Sequence, residues 1–192
     1  MGKGRVEAFT DGVVAIIITI MVLELKVPEG GTLAALTTQW PHFLSYVLSF
    51  IYVGIYWNSL HNMFHTVEKV DGRVLWANLN LLFWLSLMPI STAFMGENEF
   101  APTTVAVYGC VLALCAFAYA VLVAQLRSLH GTETAFARGL GRDVKGKISI
   151  VFYALGILSA VFVNEWIGFA FYVLVAAIWF APDRRFSRSG GG

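Results

Sequence analysis

Charged side chains are scarce in this 192-residue sequence, in which Asp, Glu, Lys and Arg make up 13% and hydrophobic residues 58%. A soluble domain carries about 25% charged residues, so the composition excludes an ordinary soluble domain and predicts an integral membrane protein. The formal net charge is only +1, and no basic tract is long enough to suggest nucleic-acid binding. We therefore expect a lipid-embedded chain with no nucleic-acid partner.

Cysteine and catalytic motifs are also lacking. The two cysteines, Cys110 and Cys115, lie in one apolar span, which excludes a disulfide framework and favours small buried side chains. The sequence contains no His-Glu-x-x-His, Gly-x-Ser-x-Gly or Walker motif. It has no Thr-Val-Gly-Tyr-Gly-type loop either, so a re-entrant filter of backbone carbonyls is excluded. We expect no enzyme activity, no cofactor and no resident metal.

Long uncharged runs make up most of what is present. Because lipid cannot satisfy backbone N–H and C=O groups, each run long enough to cross a bilayer is predicted to be a helix. The sequence therefore predicts an all-α membrane protein with six transmembrane helices, although the last two could form one re-entrant hairpin. Their approximate bounds are residues 6–27, 41–65, 74–95, 103–126, 147–163 and 166–181.

Two further features concern the organisation of these spans. Pro89 should bend the third span and free a carbonyl that the hydroxyl of Ser86 or of another residue could satisfy. We expect residues 1–186 to form a single six-helix domain. Residues 187–192, which are rich in Gly and Ser, are expected to be a flexible tail or a cloning remnant.

Basic residues fall almost entirely on one side of the six-span layout. The positive-inside rule places that side in the cytoplasm, so both termini are predicted to be cytoplasmic. The opposite side holds only Lys26, beside acids such as Glu24 and Glu29. The basic residues on the cytoplasmic side are Lys3, Arg5, Lys69, Arg73, Arg127, Arg138, Arg142, Lys145, Lys147, Arg184, Arg185 and Arg188.

Polar side chains of the first three spans fall in one predicted layer near the cytoplasmic side. An unpaired carboxylate at the depth of Asp11 is costly, so we expect it to have hydrogen-bond partners. A network there would tie the first span to the second and third; the alternative is that each group faces water independently. The layer comprises Asp11 of the first span, Trp57 and His61 of the second, and Asn78 of the third.

Beyond Asp11 the first span is apolar on every face. Ile16, Ile20 and Leu23 recur at helical spacing, and Thr19 lies beside Ile20. Such a stripe is typical of ordinary helix packing, and its spacing alone does not define a pore. Because a carbonyl filter is excluded, any ion path would have to be lined by rings of side chains.

Three segments resemble the lysosomal-type potassium channel family, in particular its short prokaryotic members. The first-span segment is the specific part, and Thr10 stands where the family usually has serine, which keeps the hydroxyl. The overall length and the layout of six spans with both ends inside are also similar. The matching segments are Arg5-x-x-x-Phe9-Thr10-Asp11, Trp57-x-x-x-His61-x-x-Phe64 and the third span around Asn78.

The resemblance implies a homotetrameric, potassium-permeable cation channel in the plasma membrane of a prokaryote, with the first helices lining a central pore. Carried over from Asp11, the family's hydrophobic constriction and gate fall on Ile16, with Ile20 and Leu23 as successive outward layers and Thr19 as the hydroxyl layer. Potassium would be the permeant species. The family's polar network would include Arg5, Phe9, Thr10, Asp11, Trp57, His61 and Asn78.

Two other classes remain open from the residues. A small secondary transporter, or a proton-permeable or proton-coupled membrane protein, would use Asp11 and His61. A non-transporting membrane scaffold would use neither. Passive potassium flux that follows an imposed gradient, without a coupled substrate, separates a channel from both.

Overall fold

The computed structural model describes residues 2–130 and 144–180, and every regular element within them is an α-helix. Some of the expectations above concern residues outside these ranges: Arg138, Arg142, Arg184, Arg185, Arg188 and the tail at 187–192. The helices are α1 (Lys3–Leu23), α2 (Leu33–Thr37), α3 (Trp40–Thr66), α4 (Gly72–Leu85), α5 (Met88–Glu97), α6 (Pro102–His130), α7 (Val144–Phe162) and α8 (Glu165–Phe180).

Five stretches of the described chain are long and apolar enough to cross a membrane. They are α1, α3, α4 together with α5, α6, and α7 from Lys145 onward. The last helix, α8, has 16 residues and is apolar but shorter. The all-helical membrane fold is therefore confirmed, and the sixth predicted span is present as a helix of about 24 Å at roughly 1.5 Å per residue.

Contacts at one end of the bundle show how the helices alternate in direction. Lys3, at the start of α1, donates a hydrogen bond from Nζ to the carbonyl oxygen of His65, near the end of α3, over 3.1 Å. The backbone N–H of Lys69 donates to Nε2 of His130, the last residue of α6, over 3.2 Å. We call this the Lys3 end of the bundle.

The opposite end, which we call the Lys26 end, holds the other helix termini. Lys26 follows α1 and pairs with Glu97, the last residue of α5. Trp40, at the start of α3, stacks on Trp166 at the start of α8, with ring centroids 5.9 Å apart. The principal helices therefore run antiparallel to their neighbours in sequence, as a chain that crosses a membrane repeatedly must.

The first helix ends earlier along the chain than the sequence indicated. It was expected to continue to Val27, but it ends at Leu23. Pro28 disfavours a helical conformation at the residue before it, and the N–H of Leu25 closes the last turn on the Val22 carbonyl oxygen over 3.2 Å. Lys26 consequently lies outside the helix and can reach α5.

The third predicted span is two helices. A bend was expected at Pro89, and the break falls at Ser86 and Leu87, between the end of α4 and the start of α5. Proline lacks an N–H and its ring clashes with the carbonyl four residues earlier, here that of Leu85. The Ser86 hydroxyl donates over 2.7 Å to the carbonyl of Phe83 and not to that of Leu85.

Buried hydroxyl groups form hydrogen bonds that join α5 and its neighbouring helices. Oγ of Ser49 on α3 lies 2.6 Å from Oγ1 of Thr92 on α5 and 3.0 Å from the phenol oxygen of Tyr108 on α6. The Tyr52 hydroxyl donates to the backbone carbonyl of Tyr172 on α8 over 2.6 Å. Because all five side chains are buried, these bonds fix the mutual positions of α3, α5, α6 and α8.

Candidate functional site

The first helix uses only one face to pack against its own chain. That face meets α3, α4 and α5, and its members recur at spacings of three and four residues, as one side of an α-helix requires. The buried residues are Val6, Thr10, Val14, Ile17 and Met21. The remaining face of α1 is left uncovered by the described chain.

The residues predicted to line a pore all lie on that uncovered face. The exposed fractions are 58% for Ile16, 42% for Ile20 and 81% for Leu23. At about 100° per residue these three side chains fall within an arc of about 60°, with Thr19 about 60° to one side of Ile16. An apolar face this exposed needs lipid, another subunit or a narrow pore opposite it.

Thr19 places a hydroxyl group beside the isoleucines of this face. Its hydroxyl donates a hydrogen bond to the carbonyl oxygen of Ile16 over 2.9 Å. Because the hydroxyl hydrogen is directed toward its own helix, the oxygen lone pairs remain as acceptors on the uncovered side. Thr19 is therefore suited to contact a cation, whereas the neighbouring isoleucines can only exclude water.

Besides the Lys3–His65 bond, two hydrogen bonds between side chains tie the beginning of α1 to its neighbours. The indole Nε1 of Trp57 on α3 donates to Oδ1 of Asp11 over 3.0 Å. The amide Nδ2 of Asn78 on α4 donates to Oγ1 of Thr10 over 2.9 Å, and both of these side chains are buried. The structure thus brings four of the seven predicted network residues together in two pairs.

A third contact involves a residue that the sequence reasoning did not single out. Nδ1 of His61 lies 3.4 Å from Oε1 of Glu7, and the His61 ring stacks on Trp57 with centroids 5.7 Å apart. Glu7 precedes Asp11 by four residues, one helical turn, so both acids lie on the side of α1 that faces α3. That spacing was the signal that could have identified it.

The remaining two network residues, Arg5 and Phe9, are not brought into this group. Both side chains are exposed, Phe9 at 54%, and no described side chain of the same chain makes a polar contact with the guanidinium of Arg5. At about 100° per residue, Arg5 and Phe9 each lie about 20° from Ile16 around the helix axis, one on either side. Both therefore lie on the uncovered face of α1.

The Lys26 end carries a contact between α1 and α5 that the sequence did not indicate. Nζ of Lys26 lies 2.7 Å from Oε1 of Glu97. Next to this pair an open groove of about 520 Å³ runs between α1 and α5. The groove is lined by Ile20, Glu24, Ser86, Pro89, Ile90, Ala93, Phe94 and Glu97.

Residues 2–130 and 144–180 contain no group of three or more His, Cys, Asp or Glu side chains placed to hold a metal ion. The arrangement on α1 offers hydroxyl and apolar groups instead, which suit a transient contact with an ion better than tight coordination.

These features define an α-helical membrane protein whose first helix is anchored by polar pairs on one side and uncovered on the other. Residues 5–89 match the family described as the endosomal/lysosomal potassium channel TMEM175. A protein of Chryseobacterium sp. (strain P1-3), named a potassium channel, is 53% identical over 189 residues, 98% of each chain. The chain belongs to this family, whose members are channels rather than enzymes.

A solved structure and a human relative extend the comparison. The crystal structure of a lysosomal potassium-selective channel TMEM175 homolog from Chamaesiphon minutus superposes with a TM-score of 0.79 at 26% identity, covering 93% of this chain and 96% of that one. The human endosomal/lysosomal proton channel TMEM175 is 34% identical over 113 residues, 53% of this chain and 22% of the human protein.

Proposed function

We propose that this protein is a potassium-permeable cation channel whose pore is lined by α1. The observation that carries the proposal is the uncovered face of α1, on which Ile16, Ile20, Leu23 and the Thr19 hydroxyl stand together. The naming of the Chryseobacterium relative as a potassium channel and the fold shared with the Chamaesiphon channel support it.

The pore requires several copies of the chain, because one helix cannot enclose a channel. We propose a homotetramer in which four copies of α1 turn their uncovered faces to a common axis. The alternating helix directions support a six-span domain over residues 1–186 with both termini in the cytoplasm, since Lys3 and Arg5 belong to the Lys3 end of the bundle. The membrane is proposed to be the plasma membrane of a prokaryote.

Conduction in this arrangement depends on rings of side chains. Four copies of Ile16 would form the narrowest ring and exclude water when the pore is closed, while Ile20 and Leu23 form wider rings toward the Lys26 end. A slight dilation would admit partly hydrated potassium, and the four Thr19 oxygens would replace part of its hydration shell. No fixed charge stands among these rings, so selectivity would depend on ring width and on Thr19.

The polar pairs at the Lys3 end would position the pore helix. The Asp11–Trp57 and Thr10–Asn78 hydrogen bonds hold α1 against α3 and α4, so its uncovered face keeps a fixed direction. We propose that the segment from Arg5 to Asp11 positions the helix in this way, and that none of its polar groups forms the constriction itself.

Flux measurements on the purified protein in liposomes test this function. The vesicles are loaded with potassium, and their membrane contains no potassium ionophore. We expect rapid passive potassium efflux that needs no coupled substrate. Under matched gradients, potassium efflux should exceed sodium efflux. Absence of flux from vesicles that contain the assembled protein would overturn the proposal. Flux that requires a second, co-transported ion would instead identify a secondary transporter.

Proton permeation is the second candidate, because the human, mouse and chicken relatives are named proton channels. Asp11 and His61 would be the groups available to such a path, and each already has a partner, Trp57 and Glu7 respectively. A pH-sensitive dye inside the same vesicles distinguishes the two ions. Acidification without potassium efflux would favour the proton path.

A further inference from the structure

We propose that Lys26 and Glu97 form a clamp that positions the outer half of the pore helix, an inference that rests on the pore function proposed above. Lys26 follows the last turn of α1, and Glu97 is the last residue of α5. Their charged atoms, Nζ and Oε1, are 2.7 Å apart. The pair therefore joins the end of the pore helix directly to a second helix of the same subunit.

The groove next to the pair shows why such a tie is needed. Between the outer half of α1 and α5 lies an open space of about 520 Å³, bounded by Ile20 on one side and by Ile90 and Phe94 on the other. These three side chains remain exposed. Apolar packing between the two helices is thus incomplete at this depth, and the ion pair bridges the gap.

The partner helix of the clamp is firmly held. On α5, Met88 and Met95 are fully buried, and Thr92 is hydrogen-bonded to Ser49 on α3 over 2.6 Å. On α1, Ile17 and Met21 are buried, but Leu23 in the last turn is exposed. The ion pair therefore acts on the last turn of α1, beyond Met21, where apolar packing no longer holds the helix.

The break at Ser86 gives the two halves of α1 separate supports. Asn78 on α4 holds the inner half through Thr10, and Glu97 on α5 holds the outer end through Lys26. The last turn of α1 can therefore change its position while the rest of the helix stays packed. In the proposed tetramer the clamp would hold this last turn against α5, which would keep the ring of Leu23 wide.

The expected size of the effect follows from the exposure of both charged groups. An exposed ion pair shifts a two-state equilibrium by up to about fivefold and is weakened by salt. Glu97→Gln and Lys26→Gln, measured as potassium flux from the reconstituted channel, should therefore each lower flux by up to about fivefold. The charge swap Lys26→Glu with Glu97→Lys should restore it.

The two single variants separate a clamp from a surface-charge effect. Removing a negative and a positive charge changes the local potassium concentration in opposite directions, whereas loss of a clamp lowers flux in both cases. Glu99→Gln is the matched control, because it removes an exposed acid two residues from Glu97 that forms no ion pair with any residue of the described ranges. That control should keep wild-type flux.

Ionic strength supplies an independent readout. Adding impermeant N-methylglucamine chloride outside should lower potassium flux through the wild-type channel and leave the flux through Glu97→Gln unchanged.

Three outcomes would overturn the clamp. They are wild-type flux in both single variants, opposite changes of flux in the two variants, and a charge-swapped channel that assembles normally but does not regain flux. Ile16→Asn is measured in parallel: increased flux there means that only the clamp has failed, and unchanged flux means that the pore assignment has failed with it.

Discussion

The two halves of α1 are held in different ways. The inner half, from Lys3 to Asp11, is bound to α3 and α4 by three direct hydrogen bonds and by the Glu7–His61 contact. The outer half packs through the apolar side chains of Ile17 and Met21, borders an open groove and carries one exposed ion pair at its end. Polar contacts with defined partners thus hold the inner half, whereas apolar packing and a single exposed ion pair hold the outer half.

That difference is physically reasonable for a gate made of side chains. Polar groups in a membrane need defined partners, since an unpaired one is costly, so they hold a structure in one arrangement. For an apolar side chain, the free energy differs little between contact with lipid, with a dry pore and with a neighbouring helix. A gate built from them can alternate between states that differ little in free energy.

The largest expected effect comes from making the outer half polar at its narrowest ring. In the proposed tetramer Ile16→Asn would place four amides where four branched apolar groups would exclude water, and we expect potassium flux to rise at least tenfold, equivalent to about 1.4 kcal/mol of barrier. Flux from liposomes measures it. Ile150→Asn, at a half-exposed position on α7, is the matched control and should leave flux near wild type; an equal rise there would argue for a general membrane leak.

The inner half should respond in stability rather than in conduction. Thr10→Val removes the acceptor of the buried Asn78 amide and leaves that group unsatisfied, which should lower the free energy of unfolding by about 1–3 kcal/mol. Thermal denaturation of the detergent-solubilised protein measures the loss. Thr10→Ser keeps the hydroxyl and should retain most of the stability, so equal losses in the two variants would show that packing matters more than the hydrogen bond.

Asp11→Ala should have a smaller effect of the same kind. It deprives Trp57 of its acceptor at a site that water can reach, so the expected loss is about 0.5–1 kcal/mol. The melting temperature of the assembled protein reports it. Asp11→Asn, which keeps Oδ1, is the control. Wild-type melting of Asp11→Ala would mean that the carboxylate is simply solvated and that its hydrogen bond to Trp57 does not stabilise the inner half.

The smallest effect is expected at Thr19. Thr19→Val keeps the shape of the side chain and removes its oxygen, so the ratio of potassium to sodium flux should fall about two- to threefold, the lower end of what one hydroxyl interaction contributes. Thr19→Ser should preserve the ratio. If both variants keep the wild-type ratio, selectivity is determined by ring width without the hydroxyl.

Much of the inner half could be predicted from the sequence. The cost of a carboxylate within lipid required partners for Asp11, and counting depth from the charged ends placed Trp57 and Asn78 at its level. The pairing itself was not predictable, because it depends on how α3 and α4 are rotated. Asn78 in fact binds Thr10, and Asp11 binds Trp57.

The outer half was less accessible to prediction. A helix that is apolar on every face gives no periodic signal of its orientation, so the exposure of Ile16 had to come from the structure. The Lys26–Glu97 pair joins residues 71 positions apart, and it exists because α1 ends before Lys26. That early end, the short helix α2 and the break before Pro89 all depend on local backbone geometry that composition does not reveal.

Cysteine accessibility along the outer half of α1 tests the central claim most directly. In a Cys110→Ser, Cys115→Ala background, a cationic thiol reagent is applied to Ile20→Cys and Met21→Cys channels while potassium flux is recorded. If α1 lines the pore, modification should block flux at Ile20→Cys, on the uncovered face, and leave it unchanged at Met21→Cys, on the buried face. Block at Met21→Cys with an unaffected Ile20→Cys channel would contradict the assignment.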